Sequence, residues 1–432
     1  MQRTKISDLK NQVGKLVNIK GFVHEIRIQS KIHFLIIRDI SGLVQCISLK
    51  SNDDVFSTTK DLQKESVISL IGLVKEESQA PGGFEIEIKE IDVLSKVLEE
   101  LPIQVNDKGV ESSLSVRLDN RWIDLRKPKN ALIFKIWTAM EEAMREWWSK
   151  EGFIQVYSPK FMGSPSESGA ELFSVDYFGK KAFLAQSPQF FKQMAMSSGF
   201  EKIFEIGPVF RANPSHTSRH DTEFTMIDME LSFIESHEDV MKVEESWLRH
   251  VLLRLKERFG SEIKEVFGVD VTVPSLPFPR ITLDEALKIL KSKGHVLEDD
   301  LDPQGERMLY EYIKEKHGHD FVFVTEYPYS IRPFYHMKKE GGLTKSYDLL
   351  WRGLEITTGA QREHRYDVLK EQAIEKGLDL NLIDDYLKFF KYGCPPHGGF
   401  GLSPSRMVMI LLGIKNVRDV TYLPRDTSRL NP

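Results

Sequence analysis

Only two cysteines occur in the 432 residues, Cys46 and Cys394, and they stand far apart in unrelated contexts. That excludes a disulfide framework and a cysteine-based zinc site, and it makes a reducing cytoplasm the expected setting. Long apolar runs are also missing. No stretch approaches the roughly 20 residues of a membrane helix, and the opening MQRTKISDLK has no apolar core, so neither a membrane span nor a secretory signal is expected. Charge of one sign is not in excess either. Lys and Arg number 59 against 64 Asp and Glu, for a formal net charge of -5. A nucleic acid partner must therefore meet local basic patches rather than a polycation. There is no Walker A sequence and no kinase glycine-rich loop, and GGFGLS near the C-terminus is not GxGxxG. A nucleotide site, if present, is of another kind. Internal repeats and low-complexity stretches are absent too.

What remains is ordinary globular material, 41% hydrophobic and 28% charged, with a mean hydropathy of -0.31. This length argues for two or more domains. Residues 1–97 carry short strand-like runs such as LVNIKGFVHEIRI and IHFLIIRDISGLVQCISL, which suggest a small OB-type β-barrel. Its outer face is expected to carry Arg27, Phe34, Gln45 and Glu85. An aromatic among polar neighbours suits stacking of unpaired bases. The plainer alternative is a half-buried barrel with Phe34 in its core. Residues 98–128 read as a charged, irregular hinge. Residues 129–432 form the larger domain, in which 236–345 look like a peripheral helical insertion. The expected class is α+β: an OB barrel followed by an antiparallel sheet flanked by helices.

The chemistry gathers around residues 203–235, two strand-like runs flanking a long basic loop. Arg211 ends the first run, while His220, Glu223 and Asp228 lie on the returning limb. A forked guanidinium at a strand end suits an anionic oxygen, most economically a phosphate. Residues 163–173 read as a small-residue loop with Glu167 and Glu171. After it, Ser187-Pro188 has the form of a helix start, Ser as N-cap and Pro as first residue. Gln189 and Lys192, three apart, share one face of that helix. Asp348 and Glu355, seven apart in one expected strand, suit Mg²⁺ against phosphate oxygens, and Arg362 falls in the turn beyond. Arg406 sits at the start of an apolar helix after HGGFGLSPS.

In this order the pieces resemble the class II aminoacyl-tRNA synthetases, and within them the aspartyl enzymes of archaeal and eukaryotic type. RWIDLRKP with the following helix is similar to motif 1 of that class, VFRAN…TSRHDTEFTMIDMELSF to motif 2, and HGGFGLSPSR to motif 3. SPSESGAELF, AQSPQFFKQ, SYDLLWRGLEITTGAQRE and YLPRDTSRLNP match further stretches, so the likeness spans essentially the whole chain. It implies a homodimer that activates L-aspartate with ATP and Mg²⁺ and charges tRNA. Arg211 is then the α-phosphate ligand. Arg219, His220 and Arg406 belong to the ATP site, with His220 and Arg406 at the γ-phosphate, and Phe224 lies under adenine. Asp348, Glu355 and Thr358 are the implied Mg²⁺ set. Ser166, Glu171, Gln189, Lys192, Asp228, Thr358 and Arg362 are the implied aspartate pocket. His24, Arg27, Phe34, Gln45, Pro81 and Glu85 are the implied anticodon contacts.

Four positions depart from the pattern: Asn213 for the motif 2 glutamate, Ser405 before the motif 3 arginine, Thr358 for a commoner serine, and Ser168 for a loop glycine. None removes an arginine or a Mg²⁺ carboxylate. The asparaginyl enzymes are the near alternative, but Ile227-Asp228-Met229-Glu230 has the aspartyl form. A lysyl enzyme needs acidic residues where Lys192 and Arg362 stand. An ammonia-dependent asparagine synthetase of this kind lacks the OB domain, and a bare nucleic-acid-binding module leaves the arginine and carboxylate set unexplained. His24 and Pro81 resemble the relaxed enzymes that charge tRNA(Asn) as well as tRNA(Asp), whose product on tRNA(Asn) calls for an amidotransferase. A tRNA(Asp)-only enzyme is the other reading.

Overall fold

The structure, a computed structural model, describes residues 1–106, 111–164, 171–214 and 217–431. It divides into two compact units, Met1–Leu132 and Ile133–Asn431.

The first unit holds β1 (Leu16–Ile28), β2 (Ile32–Asp39), β3 (Gly42–Leu49), β4 (Val67–Glu76) and β5 (Phe84–Ser95). They close into a barrel in the order β1-β2-β3-β5-β4. Neighbours pair antiparallel except β3 and β5, whose parallel pairing completes the ring. Alternation drives this arrangement. Val17, Ile19, Leu35, Ile37, Leu70 and Ile86 point inward and form the core. Phe34 is only half-buried and lies outside that core, which removes the core alternative for it. The described part of the expected irregular hinge, 98–106 and 111–128, is not wholly irregular. It contains helices Leu114–Asp119 and Arg121–Asp124, pinned by a buried Arg121–Asp124 ion pair at 2.8 Å.

The second unit is built on a sheet of β6 (Ile154–Gln155), β10 (Lys202–Phe210), β11 (Glu223–Ser232), β12 (Arg280–Thr282), β13 (Phe321–Thr325), β16 (Ser346–Trp351), β17 (Leu354–Arg362) and β18 (His397–Leu402). Two minor sheets hold β7 (Phe161–Met162), β8 (Ser174–Tyr177) and β9 (Lys180–Leu184), and β14 (Lys338–Lys339) with β15 (Leu343–Thr344). The main order is β12-β13-β16-β17-β18-β11-β10-β6, parallel only in the outer pairs β12–β13 and β6–β10. Helices Pro128–Lys150 and His237–Phe267 supply the stacked Trp148 and Trp247, 4.6 Å apart. Trp148 also stacks on Phe204 of β10, and Trp247 lies against Phe400 of β18. The longer helix starts at a capping box made by Ser236 and Asp239 and stops at left-handed Gly268.

Four expectations need correction. Residues 236–345 are not peripheral, because β12 and β13 extend the main sheet. Asp348 and Glu355 do not share a strand: Arg352 and Gly353, both at positive φ, turn the chain between β16 and β17. Arg362 consequently ends β17 rather than sitting in a turn beyond it. The helix after Ser187 runs Gln189–Ser197 with Pro188 at its N-cap, one residue later than expected. Ser187 still accepts a hydrogen bond from the Gln189 amide.

Candidate active site

β10 and β11 pair antiparallel from Lys202↔Leu231 to Phe210↔Glu223, so the 203–235 hairpin forms as expected. Its alternation sorts β11 by face. Ile227 and Met229 are fully buried, while Phe224, Met226 and Asp228 line a cavity of about 350 Å³. The same cavity is lined by Glu171, Gln189, Lys192, Arg211, Asn213, Arg219, His220, Glu355, Thr358, Arg362 and Arg406. Segments remote in sequence are thus brought to one place.

One end of the cavity is cationic. The Arg211 amide bonds the Thr222 carbonyl across the hairpin mouth, and its guanidinium lies 5.5 Å from the centre of the Phe224 ring. Arg406 rises from the start of helix Pro404–Leu412, where Ser403 caps its amide, and its Nη1 donates to the Glu355 carbonyl at 2.9 Å. His220 pairs with the Thr217 hydroxyl at 2.5 Å. Burial, then the charges of Arg406, Arg219 and Arg211, hold its pKa below the usual histidine value. At neutral pH it is an uncharged imidazole among guanidinium groups.

The other end is a closed charge lattice. Lys192 Nζ lies 2.8 Å from Asp228 Oδ1, 3.3 Å from Glu230 Oε2 and 3.2 Å from the Phe400 carbonyl. The second oxygen of Glu230 accepts from Arg362 Nε at 3.1 Å. Arg362 also reaches His336 Nε2 at 2.9 Å and the Gly399 carbonyl at 3.0 Å. Burial raises the Asp228 carboxyl, with Lys192 pulling the other way. Burial opposes ionisation of Glu230 too, but Arg362 and Lys192 outweigh it and hold that carboxyl below its usual value. Gly399 and Gly401 of β18 make room for this lattice. A Cβ at Gly399 would collide with the Met229 carbonyl and the Glu230 side chain. Gln189 is buried and donates to Gln193.

Glu355 and Thr358 also line the cavity, with Glu355 against Arg406, whereas Asp348, the strand partner of Thr358, stands outside the lining. Thr358 Oγ1 lies 3.2 Å from Glu355 Oε1. Arg332 Nη2 bonds Asp348 Oδ2 at 2.6 Å, while Asp348 Oδ1 is buried with no hydrogen-bond partner among the described residues. Burial and then the Asp348 charge push the Glu355 carboxyl upward. An orphaned carboxylate oxygen, a second carboxyl strained by it and a hydroxyl form a hard oxygen set that fits Mg²⁺.

The barrel residues divide. Arg27 pairs with Phe34 across β1 and β2, and Gln45 pairs with Glu85, to which it donates at 2.9 Å. Pro81 opens an exposed turn just before β5. His24 falls at the irregularity in β1 and is tied to Arg38 at 2.7 Å, beside the Arg38–Glu65 pair. It belongs to an ion network, not to the Arg27–Phe34 pair. Ser166, Glu167 and Ser168 lie outside the described residues. Sequence reasoning missed Arg332, Tyr335 and His336, which line the cavity from the segment read as an insertion. It also passed over Glu230, although the two-residue period of β11 places it on the same face as Asp228.

A barrel of the OB type, a largely antiparallel sheet with a cationic motif 2 hairpin and a strand–helix arginine together define a class II tRNA synthetase. The family model "tRNA synthetases class II (D, K and N)" matches residues 113–427, and "OB-fold nucleic acid binding domain" matches 17–94. The chain belongs to this class II D, K and N family and is an aminoacyl-tRNA ligase. It is 43% identical to an aspartate–tRNA(Asp/Asn) ligase of Aeropyrum pernix, covering 99% of this chain and 98% of the relative. It is 44% identical to an aspartate–tRNA(Asp) ligase of Pyrococcus abyssi, covering 97% of each. Among solved structures it resembles asparaginyl-tRNA synthetase from Pyrococcus horikoshii complexed with asparaginyl-adenylate, with a TM-score of 0.94 and 34% identity over all of both chains.

Proposed function

We propose that the chain is an aspartate–tRNA ligase that activates L-aspartate with ATP and charges tRNA(Asp) and also tRNA(Asn). The observation that carries the amino-acid assignment is the Lys192–Asp228–Glu230–Arg362 lattice. Lys and Arg offer donors only. The carboxylate oxygens facing them are already engaged: Asp228 Oδ1 by Lys192, and Glu230 by Lys192 and Arg362. An aspartate side chain brings two acceptors to this end. An asparagine side chain brings one acceptor and an NH₂ group that meets further donors, a mismatch that costs discrimination of orders of magnitude. His24 and Pro81 support the wider tRNA range. The relatives include ligases of both tRNA ranges; a tRNA(Asp)-only enzyme is the second reading, because the bond of His24 to Arg38 occupies a ring nitrogen that the wider range would use on tRNA.

In the first step an α-carboxylate oxygen of aspartate attacks the α-phosphorus. The bond to the bridging oxygen breaks, and pyrophosphate leaves with that electron pair. The nucleophile is already an anion, so no general base is required. Arg211 holds the α-phosphate and the attacking carboxylate. Arg219, neutral His220 and Arg406 hold the far phosphates, and Phe224 stacks on adenine. Gln189, with Glu171 and Ser166, holds the α-amino end. Catalysis is positioning plus stabilisation of charge spreading over phosphate oxygens. Asp348, Glu355 and Thr358 are the residues to hold Mg²⁺, which when bound neutralises phosphate charge. The 3′-terminal ribose hydroxyl of tRNA then attacks the activated carbonyl, and AMP leaves.

On the barrel, Phe34 stacks on an anticodon base while Gln45, Glu85 and Arg27 contact its neighbours. The enzyme works in the cytoplasm as a homodimer. Aspartyl-tRNA(Asn) is mispaired for translation, so an amidotransferase must convert its side-chain carboxylate to an amide. The test measures aspartate-, asparagine- and lysine-dependent ATP–pyrophosphate exchange, and charging of purified tRNA(Asp) and tRNA(Asn). Exchange with aspartate alone and charging of both tRNAs is expected. Exchange with asparagine overturns the amino-acid assignment. Charging of tRNA(Asp) alone leaves the second reading.

A further inference from the structure

Glu306 lies in none of the motifs that carry the family likeness. It sits in the first turn of helix Pro303–His317, inside the segment read from sequence as an insertion. The residue is buried, 7% exposed, and its Oε2 lies 2.9 Å from Arg219 Nη1. Arg219 lines the cavity beside His220 and Arg406; Glu306 stands behind it. The carboxylate is rigidly mounted. Asp302 caps its helix by accepting from the Gly305 amide at 2.6 Å. A Cβ at Gly305 would lie 2.9 Å from Leu297. The β16–β17 turn also packs on this helix, since a Cβ at Gly353 would lie 2.9 Å from Arg307 Cα and 3.3 Å from the Glu306 carbonyl. That turn leads directly into Glu355. Burial pushes the Glu306 carboxyl up to about 7 although Arg219 pulls it down.

We propose that Glu306 is a positioning residue that fixes the Arg219 guanidinium at the phosphate end of the cavity and so sets affinity for the β- and γ-phosphates of ATP. This rests on the ligase reading above. A flexible arginine on a loop loses rotamer freedom on binding, and a rigid carboxylate behind it removes that cost in advance.

The test compares wild type, Glu306→Gln, Arg219→Met and the double variant by pyrophosphate exchange at saturating aspartate, with AMP as a competing ligand that lacks the outer phosphates. Glu306→Gln is expected to raise KM for ATP roughly five- to thirtyfold. KM for aspartate and inhibition by AMP should stay within about twofold. In the Arg219→Met background the same change should add nothing, because the group it positions is gone. An unchanged or lower KM for ATP overturns the proposal. So does weaker AMP inhibition of the same size, which is what a merely structural role produces, or a full effect without Arg219. If Glu306→Gln does not fold by circular dichroism, Arg219→Met decides alone: equal losses for ATP and AMP overturn it. If wild type shows no aspartate-dependent exchange, the ligase reading fails instead, and equilibrium binding of ATP and AMP to the same variants decides the role of Glu306.

Discussion

Lys192 and Arg362, from a helix and a strand far apart in the chain, share one buried carboxylate: Glu230 binds Lys192 with one oxygen and Arg362 with the other. Asp228 completes the set on Lys192. Removing one member leaves a buried charge uncompensated, at about 3–5 kcal/mol. Asp228→Asn is therefore expected to lower aspartate-dependent exchange at least about a hundredfold and to lower the melting temperature. Steady-state kinetics with aspartate and a thermal melt check this. Retention of kcat/KM for aspartate within about tenfold contradicts it.

Phe34 belongs to the barrel, and its effect should be confined to tRNA. Stacking on one unpaired base contributes about 1–3 kcal/mol. Phe34→Ala is expected to raise KM for tRNA by roughly five- to a hundredfold while exchange without tRNA stays unchanged. An equal fall in both activities shows that the substitution damages the fold, not the anticodon contact.

Glu65 ties acid stability to the barrel. Burial alone raises its carboxyl, but hydrogen bonds from His24 and Arg38, with the charges of Arg38 and Arg126, bring it from the ordinary 4.5 to about 2. A pKa lowered in the folded state stabilises the fold above the unfolded value. That contribution is lost as pH falls through the window from 4.5 to about 2. Wild type should exceed Glu65→Gln in melting temperature by a constant margin from about pH 7 to about pH 5, and the margin should close below that. Melts across this range test it, and a margin that widens in acid rules it out.

Gly399 and Gly401 predict a contrast. A Cβ at Gly399 strikes the Met229 backbone carbonyl, whereas one at Gly401 meets chiefly the mobile end of Met226. Gly399→Ala is expected to cost about 1–3 kcal/mol or more, because β11 and β18 must separate. Gly401→Ala should fold nearly as well as wild type and raise KM for aspartate, since Asp228 Oδ1 lies 3.3 Å from the new atom. Denaturant unfolding of the two variants decides between them.

The sequence by itself determined the elements and their chemistry. Period-two alternation marked the barrel and β11, Gly152 sits just past the end of helix Pro128–Lys150, and the ordered motifs identified Arg211, His220, Phe224, Lys192, Asp228, Arg362 and Arg406, which line one cavity. Only the tertiary structure decided where the strands meet. Asp348 and Glu355 proved to sit on two strands because a positive-φ turn separates them. Residues 236–345 proved to contribute β12 and β13 to the sheet, Arg332 and His336 to the cavity, and Glu306 to Arg219. His24 proved to face Arg38 and Glu65. The physical reason is the range of the signal. Turn chemistry and hydrophobic period act over a few residues and leave a mark in the sequence. Pairing between strands and ion pairs across more than a hundred residues are fixed by the packing of the whole sheet, which no local pattern records.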